Sequence, residues 1–206
     1  MTNTLTPSAT LERDRATARW RTVDIVVASV IGVAFGVVFW GWASLWNVLA
    51  PAFAGFPPAQ AVIYGMWLVP GVLSALIVRK RGASVYSALV AALVSALLGT
   101  PWGLSVVLYG LVQGALPELV FALVLYRSWG LATSVVAGAA AGVGAALLDL
   151  VLYYPTWSGA WQLTYVAVLT ASAAVIAGAG SWLLVRALAQ TGVLTRFAAG
   201  RGQRAL

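Results

Sequence analysis

The 206-residue chain contains no cysteine and no histidine, and only 8% of its residues are charged. It therefore cannot form disulfides, and it lacks the thiolate and imidazole ligands of common metal sites. Nucleophilic catalysis that pairs serine or cysteine with histidine is excluded for the same reason. The phosphate-binding pattern G-x-x-x-x-G-K-[ST] is also absent, so the chain does not hydrolyse ATP through such a loop. We expect neither an enzyme nor a bound cofactor.

What the chain does contain is apolar residues, which make up 62% of it and give a mean hydropathy of +0.94. Such a composition indicates a protein that lies in the lipid bilayer. Six apolar spans are predicted, at about residues 23–46, 60–78, 83–98, 102–126, 130–154 and 161–185. The third is short, since a hydrocarbon core of about 30 Å requires about 20 helical residues. The sequence predicts an all-α integral membrane protein with six transmembrane helices.

The basic residues indicate the orientation of these spans. All 12 lie in the two tails, in the second-to-third loop or in the fourth-to-fifth loop, and the opposite loops have none. By the positive-inside rule both termini are cytoplasmic. The predicted organisation is a polar tail over 1–21, a membrane domain over 22–186 and a basic tail over 187–206. The net charge of +7 does not predict a nucleic-acid partner, because the basic residues are scattered at helix ends.

Two acidic side chains, Glu118 and Asp149, lie well inside predicted spans, where a charge costs at least about 2.5–3.5 kcal/mol, whereas Asp24 lies in the first turn of the first span. Glu118 follows Pro117, which cannot donate a backbone hydrogen bond and leaves the carbonyl of Gln113 without its helical partner. Counting from the predicted boundaries at about 1.5 Å per residue puts Glu118 near the midplane and Asp149 roughly 7 Å below the outer boundary. Each acid is interpreted either as a carboxyl hydrogen-bonded within the protein or as a ligand-binding group.

Aromatic residues are concentrated near the outer ends of the spans. They are Trp40, Trp42, Trp46, Trp102, Tyr153, Tyr154, Trp157 and Trp161. Such residues form either an interfacial belt or the walls of a pocket for a flat or cationic ring. Together with the acids they predict an outward-facing ligand site. Its candidate residues are Glu118, Gln113, Asp149, Trp40, Trp46, Tyr153 and Trp161.

Small residues recur at four-residue spacing in the first span, at Ala28, Gly32 and Gly36, and a similar stripe runs through residues 138–149 of the fifth. Stripes of this kind let helix backbones approach closely. Two interpretations follow: helix packing within the chain, or docking of another membrane subunit on the first helix.

Two stretches, WRTVDIVVASVIGVAFGVVFWGWASLW (residues 20–46) and YGLVQGALPELVFAL (residues 109–123), give the chain a family resemblance. It resembles the substrate-binding S components of energy-coupling-factor (ECF) transporters, and most of all the YkoE-like family, which is assigned to thiamine or its hydroxymethylpyrimidine precursor. The resemblance implies a six-helix binding protein in the bacterial plasma membrane. It also implies as partners a transmembrane T subunit and two cytoplasmic ATPase subunits.

The same resemblance implies that small residues of the first helix, here Ala28, Gly32 and Gly36, contact the T subunit. The chain has glycine where the family's A-x-x-x-A pattern has its second alanine. The resulting hypothesis is capture of thiamine or hydroxymethylpyrimidine from outside for ATP-driven uptake. The alternatives are a proton- or cation-coupled carrier for organic cations and a membrane scaffold that transports nothing.

Overall fold

The computed structural model describes residues 19–194 and 197–201, and within these ranges the chain forms helices and no strand. The α-helices are α1 (Thr22–Leu49), α2 (Val69–Val78), α3 (Ala83–Leu97), α4 (Ser105–Leu123), α5 (Leu131–Leu152), α6 (Gly159–Ala173), α7 (Ser181–Gln190) and α8 (Ala198–Arg201). Two 3-10 helices, Ala50–Phe53 and Pro57–Leu68, link α1 to α2, and a π-helical segment, Ala174–Gly180, joins α6 to α7. Most of the predicted N-terminal tail and the end of the C-terminal tail lie outside the described residues.

These elements make six crossings, as predicted. Five continuous helical stretches, among them Pro57–Val78 and Gly159–Gln190, are long and apolar enough to span a membrane. The sixth crossing is α3, which has 15 residues. At about 1.5 Å per residue it is about 22 Å long, shorter than a typical hydrocarbon core. The prediction of an all-α membrane protein with a short third span is confirmed.

The crossing Pro57–Val78 lies at the centre of the bundle. All ten residues of α2 are buried, and α2 contacts α1, α3, α4, α5 and the π-helical segment. Its first half is a 3-10 helix that begins with Pro57 and Pro58, and α2 carries Pro70 in its first turn. Proline is tolerated at Pro57 and Pro58 because the first amides of a helix have no intrahelical acceptor, whereas Pro70 lies inside the continuous crossing, where the 3-10 helix passes into α2. The other crossings surround this central one.

The small-residue stripes bring neighbouring helices together within the chain. A Cβ added at Gly32 would lie 2.7 Å from Val90, and one at Gly36 would lie 2.5 Å from Val94, both on α3. Ala28 is fully buried. The structure therefore does not support the predicted contact of Ala28, Gly32 and Gly36 with a partner subunit, because α3 already covers these positions.

The stripe on α5 acts in the same way against the last crossing. A Cβ at Gly138 would lie 2.6 Å from the carbonyl oxygen of Ala173 and 2.7 Å from the backbone nitrogen of Gly178. Backbone atoms cannot move aside as a flexible side chain can. Only glycine permits this approach of α5 to the π-helical segment.

We predict that Gly138→Ala lowers the free energy of unfolding by about 1–3 kcal/mol, because the added methyl group overpacks the α5 contact. The measurement is thermal unfolding of the detergent-purified chain. Gly41→Ala is the matched control, since a Cβ at Gly41 meets nothing within 4 Å. Equal stability of the two variants would contradict the assigned packing.

Candidate ligand-binding site

A cavity of about 320 Å³ lies between the outer ends of the helices. This volume falls in the range of about 300–1,000 Å³ that small-molecule pockets have. Nine of the lining residues are aromatic: Phe39, Trp46, Tyr64, Trp67, Trp102, Tyr109, Tyr153, Tyr154 and Tyr165. The others are Ala92, Ser95, Thr100, Val106, Gln113 and Asp149.

Tryptophan side chains from three parts of the chain form one wall of the cavity. The Trp46 ring stands edge to face against Tyr64 and Trp67, with centroid distances of 5.9 and 5.2 Å. Trp67 in turn meets Trp102 at 5.6 Å and 88°. The amide nitrogen of Gln60 donates to the carbonyl oxygen of Trp46 over 2.7 Å, which fixes the outer end of α1. Edge-to-face contacts of this kind stabilise aromatic pairs and hold the wall in place.

Asp149 is buried at the end of α5 and is held by tyrosine hydroxyls. Tyr109 of α4 donates to its Oδ1 over 2.5 Å, and Tyr165 of α6 donates to its Oδ2 over 2.6 Å. Tyr64 also lies beside the carboxyl group. A tyrosine that donates its hydrogen keeps only acceptor lone pairs for other partners. The polar part of the cavity is therefore rich in acceptors.

Gln113 adds an amide to this part of the cavity. It lies one turn after Tyr109 on the same face of α4, as the four-residue spacing requires. Its side chain lines the cavity, and no residue that the structure describes forms a hydrogen bond with it. An amide offers both a donor and an acceptor. The cavity thus combines an acceptor cluster with one free donor–acceptor group.

A second aromatic group supports the opposite wall. Tyr154 stacks on Trp157 with a centroid distance of 4.0 Å and an interplanar angle of 17°. Trp157 also meets Tyr165 at 5.6 Å, so it positions two lining tyrosines. Burial, together with the neighbouring Asp149 carboxylate, raises the pKa of Tyr154 to about 12. Its hydroxyl therefore keeps its proton at neutral pH.

Of the residues predicted for the ligand site, the cavity brings together Gln113, Asp149, Trp46 and Tyr153. Trp40 and Trp161 do not line it. Trp40 is 48% exposed on the outer surface of α1, and Trp161 packs behind the wall against Trp157. Their exposure fits the alternative interpretation of an interfacial aromatic belt.

Glu118 lies at the other end of the bundle. Its Oε1 accepts hydrogen bonds from the backbone nitrogen of Gly82 over 2.6 Å and from the Tyr126 hydroxyl over 2.7 Å. Its Oε2 accepts from the backbone nitrogen of Ser84 over 3.1 Å. The prediction that Glu118 lies near the membrane midplane is wrong. Helix α4 ends at Leu123, so Glu118 is only about one turn from the cytoplasmic end of the helix. This geometry removes Glu118 from the candidate ligand contacts.

Eleven of the fifteen lining residues are absent from the predicted ligand set, among them Tyr64, Trp67, Tyr109 and Tyr165. Tyr109 could have been predicted from the sequence, because it shares a helix face with the predicted residue Gln113. Tyr64 and Tyr165 could not, since only the tertiary packing brings their hydroxyls to Asp149.

The comparisons with known proteins all match transport proteins. Residues 23–144 match the family model described as "ABC-type cobalt transport system, permease component". The chain is 36% identical over 183 residues to the "Putative HMP/thiamine permease protein YkoE" of Bacillus subtilis (strain 168), an alignment that covers 88% of this chain and 91% of that protein. It also matches a solved structure, "Crystal structure of an S-component of ECF transporter", with a TM-score of 0.86 and 34% identity over 91% of this chain and 94% of the other.

We predict that Asp149→Leu destabilises the chain by about 1–3 kcal/mol, because it leaves buried tyrosine hydroxyls without an acceptor. Adding Tyr109→Phe and Tyr165→Phe to Asp149→Leu removes the orphaned hydroxyls and should recover part of that loss. The measurement is the free energy of unfolding of the single and triple variants in detergent. A triple variant less stable than the single one would contradict the hydrogen-bonding scheme.

Proposed function

The chain belongs to the family of YkoE-like S components of ECF transporters, and from this we propose that it captures thiamine or hydroxymethylpyrimidine at the outer face of the bacterial cell membrane. Its relative in Bacillus subtilis is named for hydroxymethylpyrimidine and thiamine. The observation that carries the proposal is the outward cavity, in which aromatic walls surround the Asp149–tyrosine cluster.

The two ligands share a flat aminopyrimidine ring, which the cavity suits. The exocyclic amino group supplies the hydrogen-bond donors that an acceptor cluster needs, and it would lie against Asp149, Tyr109 and Tyr165. Gln113 would donate to a ring nitrogen through its free amide. The tryptophan wall offers faces for stacking, and with thiamine it would also stabilise the thiazolium cation by cation–π attraction.

A cobalt ion is less well suited to this site, although the matching family model has cobalt in its description. Divalent cobalt binds to sets of nitrogen, oxygen or sulfur ligands. The chain has no histidine or cysteine, and among the residues that the structure describes Asp149 is the one acid that lines the cavity. Within the described residues no group of three or more metal-binding side chains occurs. The donor set therefore favours an organic ligand.

In the proposed transporter this chain binds the ligand and other subunits supply the energy. The partners would be the transmembrane T subunit and two cytoplasmic ATPase subunits that the family implies. The absence of a phosphate-binding loop in this chain is in keeping with such a division of work. Because α3 covers Ala28, Gly32 and Gly36, the proposal does not assign the T-subunit contact to them.

We predict that the purified full chain binds both ligands saturably, and that Val106→Trp abolishes this binding by filling the cavity that Val106 lines. The measurement is titration calorimetry in detergent with thiamine and with hydroxymethylpyrimidine. Leu108→Trp is the matched control, because Leu108 is 46% exposed on the outer surface of the same helix. Undiminished binding to Val106→Trp would place the ligand elsewhere.

We also predict that Gln113→Leu weakens binding of thiamine and hydroxymethylpyrimidine by a similar factor, about 5- to 10-fold, because the shared ring loses a hydrogen bond of about 1 kcal/mol. Trp40→Leu should leave both affinities unchanged, since Trp40 lies outside the cavity. The same titrations measure both variants. A Gln113→Leu chain with the parent affinity would remove this residue from the proposed contacts.

A further inference from the structure

The outer half of the chain offers no positive charge to a ligand. All 12 lysines and arginines lie in the cytoplasmic tails and loops or at the inner helix ends. Among the residues that the structure describes, no basic side chain lines the cavity. Along α4 the first basic residue after Gln113 is Arg127, and the helix end before it, at Leu123, lies about 15 Å from Gln113. The cavity therefore lacks a countercharge for an anion.

Two features of the cavity disfavour a negatively charged group. The first is the buried carboxyl group of Asp149, which is bound by the neutral hydroxyls of Tyr109 and Tyr165. The lone pairs that these tyrosines keep are acceptors, and an anion needs donors. The second is the aromatic wall, because the faces of the rings carry negative partial charge and attract cations. Both features select for ligands that bring a positive charge or hydrogen-bond donors.

The helix dipoles at the cavity do not reverse this preference. Asp149 lies in the last turn of α5, where the dipole adds about half a negative charge. The start of α4, whose Val106 lines the cavity, acts in the opposite direction with about half a positive charge. The two dipole ends are of similar size and opposite sign. The carboxyl group therefore decides the sign of the potential in the cavity.

The neutral hydroxyls of Ser95 and Thr100 also line the cavity. Both residues are buried, and the backbone nitrogen of Thr100 donates to the carbonyl oxygen of Ser95 over 3.2 Å, which places the two together. A ligand whose aminopyrimidine ring lies against Asp149 would direct its hydroxyl-bearing end away from that acid. Hydroxyls suit an alcohol as partners. They do not neutralise a phosphate ester, which carries about −1.5 to −2 charges at pH 7.

We propose that the cavity takes the unphosphorylated ligand and rejects its phosphate monoester, so that hydrolysis of such esters outside the cytoplasmic membrane must precede binding. The inference rests on the proposed function and adds to it a place in a reaction sequence. In the hydrolysis, the oxygen of water bonds to phosphorus and the bond from phosphorus to the alcohol oxygen breaks. One proton of the water passes to that oxygen. The products are the free alcohol, which the cavity binds, and inorganic phosphate.

Titration calorimetry of the purified full chain tests this selectivity with three ligands: thiamine, thiamine monophosphate and the acetate ester of thiamine. We expect the monophosphate to bind about 100-fold more weakly than thiamine, because like charges meet in a site shielded from water. The acetate ester carries an uncharged group at the same oxygen. It should bind within about tenfold of thiamine, which separates the effect of charge from the effect of size.

A lysine introduced into the cavity tests the missing countercharge directly. Thr100→Lys places an ammonium group beside the hydroxyl-bearing end of the ligand. We expect it to lower the ratio of thiamine affinity to monophosphate affinity by about tenfold or more. Thr100→Gln is the matched control, because it also lengthens the side chain but adds no charge. It should leave the ratio at the value of the parent chain.

The inference is overturned if the parent binds the monophosphate within about tenfold of thiamine, or if the acetate ester is rejected as strongly as the monophosphate. It is also overturned if Thr100→Lys lowers the ratio no more than Thr100→Gln does. Should the Thr100 variants fail to fold, the three ligands on the parent chain decide. A parent that binds neither thiamine nor hydroxymethylpyrimidine contradicts the proposed function and this inference with it, whereas equal binding of thiamine and its monophosphate contradicts this inference alone.

Discussion

A polar group inside the bilayer has no water to bind, so each one must find its partner in the protein. The carboxyl group of Asp149 meets this constraint through hydroxyls from α4 and α6. Those two hydrogen bonds bring the outer ends of three helices together around one point. Because the tyrosines donate to the carboxyl group, their remaining lone pairs face other partners. The requirement to satisfy one buried acid thus also determines the hydrogen-bonding character of the cavity.

Glycine residues determine how closely the helices of the bundle can pack. At Gly138 of α5 and Gly36 of α1 an added methyl group would lie well inside van der Waals distance of the facing helix. Close backbone contact stabilises helix association in lipid, where the hydrophobic effect contributes little. The large side chains are then concentrated at the outer ends, where Trp46, Trp67 and Trp102 line the cavity. Small residues through the middle of the bundle and large ones at its mouth give a closed core below an open pocket.

The number, order and orientation of the crossings could be predicted from the sequence, because hydropathy and the asymmetry of basic residues report them directly. The cavity could be predicted only in part. Trp40 and Trp46 lie near the same end of α1, yet only Trp46 faces the bundle. Which side of α1 faces the other helices is decided by tertiary packing and cannot be read from the position along the chain. The predicted depth of Glu118 is too great, because α4 ends at Leu123. The left-handed conformations of Leu125 and Tyr126, which follow that helix end, have no local sequence signal.

The two membrane acids differ in what compensates their charge. Glu118 binds the N-terminal amides of α3, where the helix dipole favours a negative group. Asp149 is at the C-terminal end of α5, where the dipole opposes a negative group, and its hydrogen-bonding partners are neutral hydroxyls. A carboxylate in this position gains from any cation or strong donor that enters the cavity. The chain therefore balances Glu118 with the amides of a helix start and Asp149 with neutral hydroxyls alone, so that an amino-bearing or cationic ligand in the cavity would further stabilise Asp149.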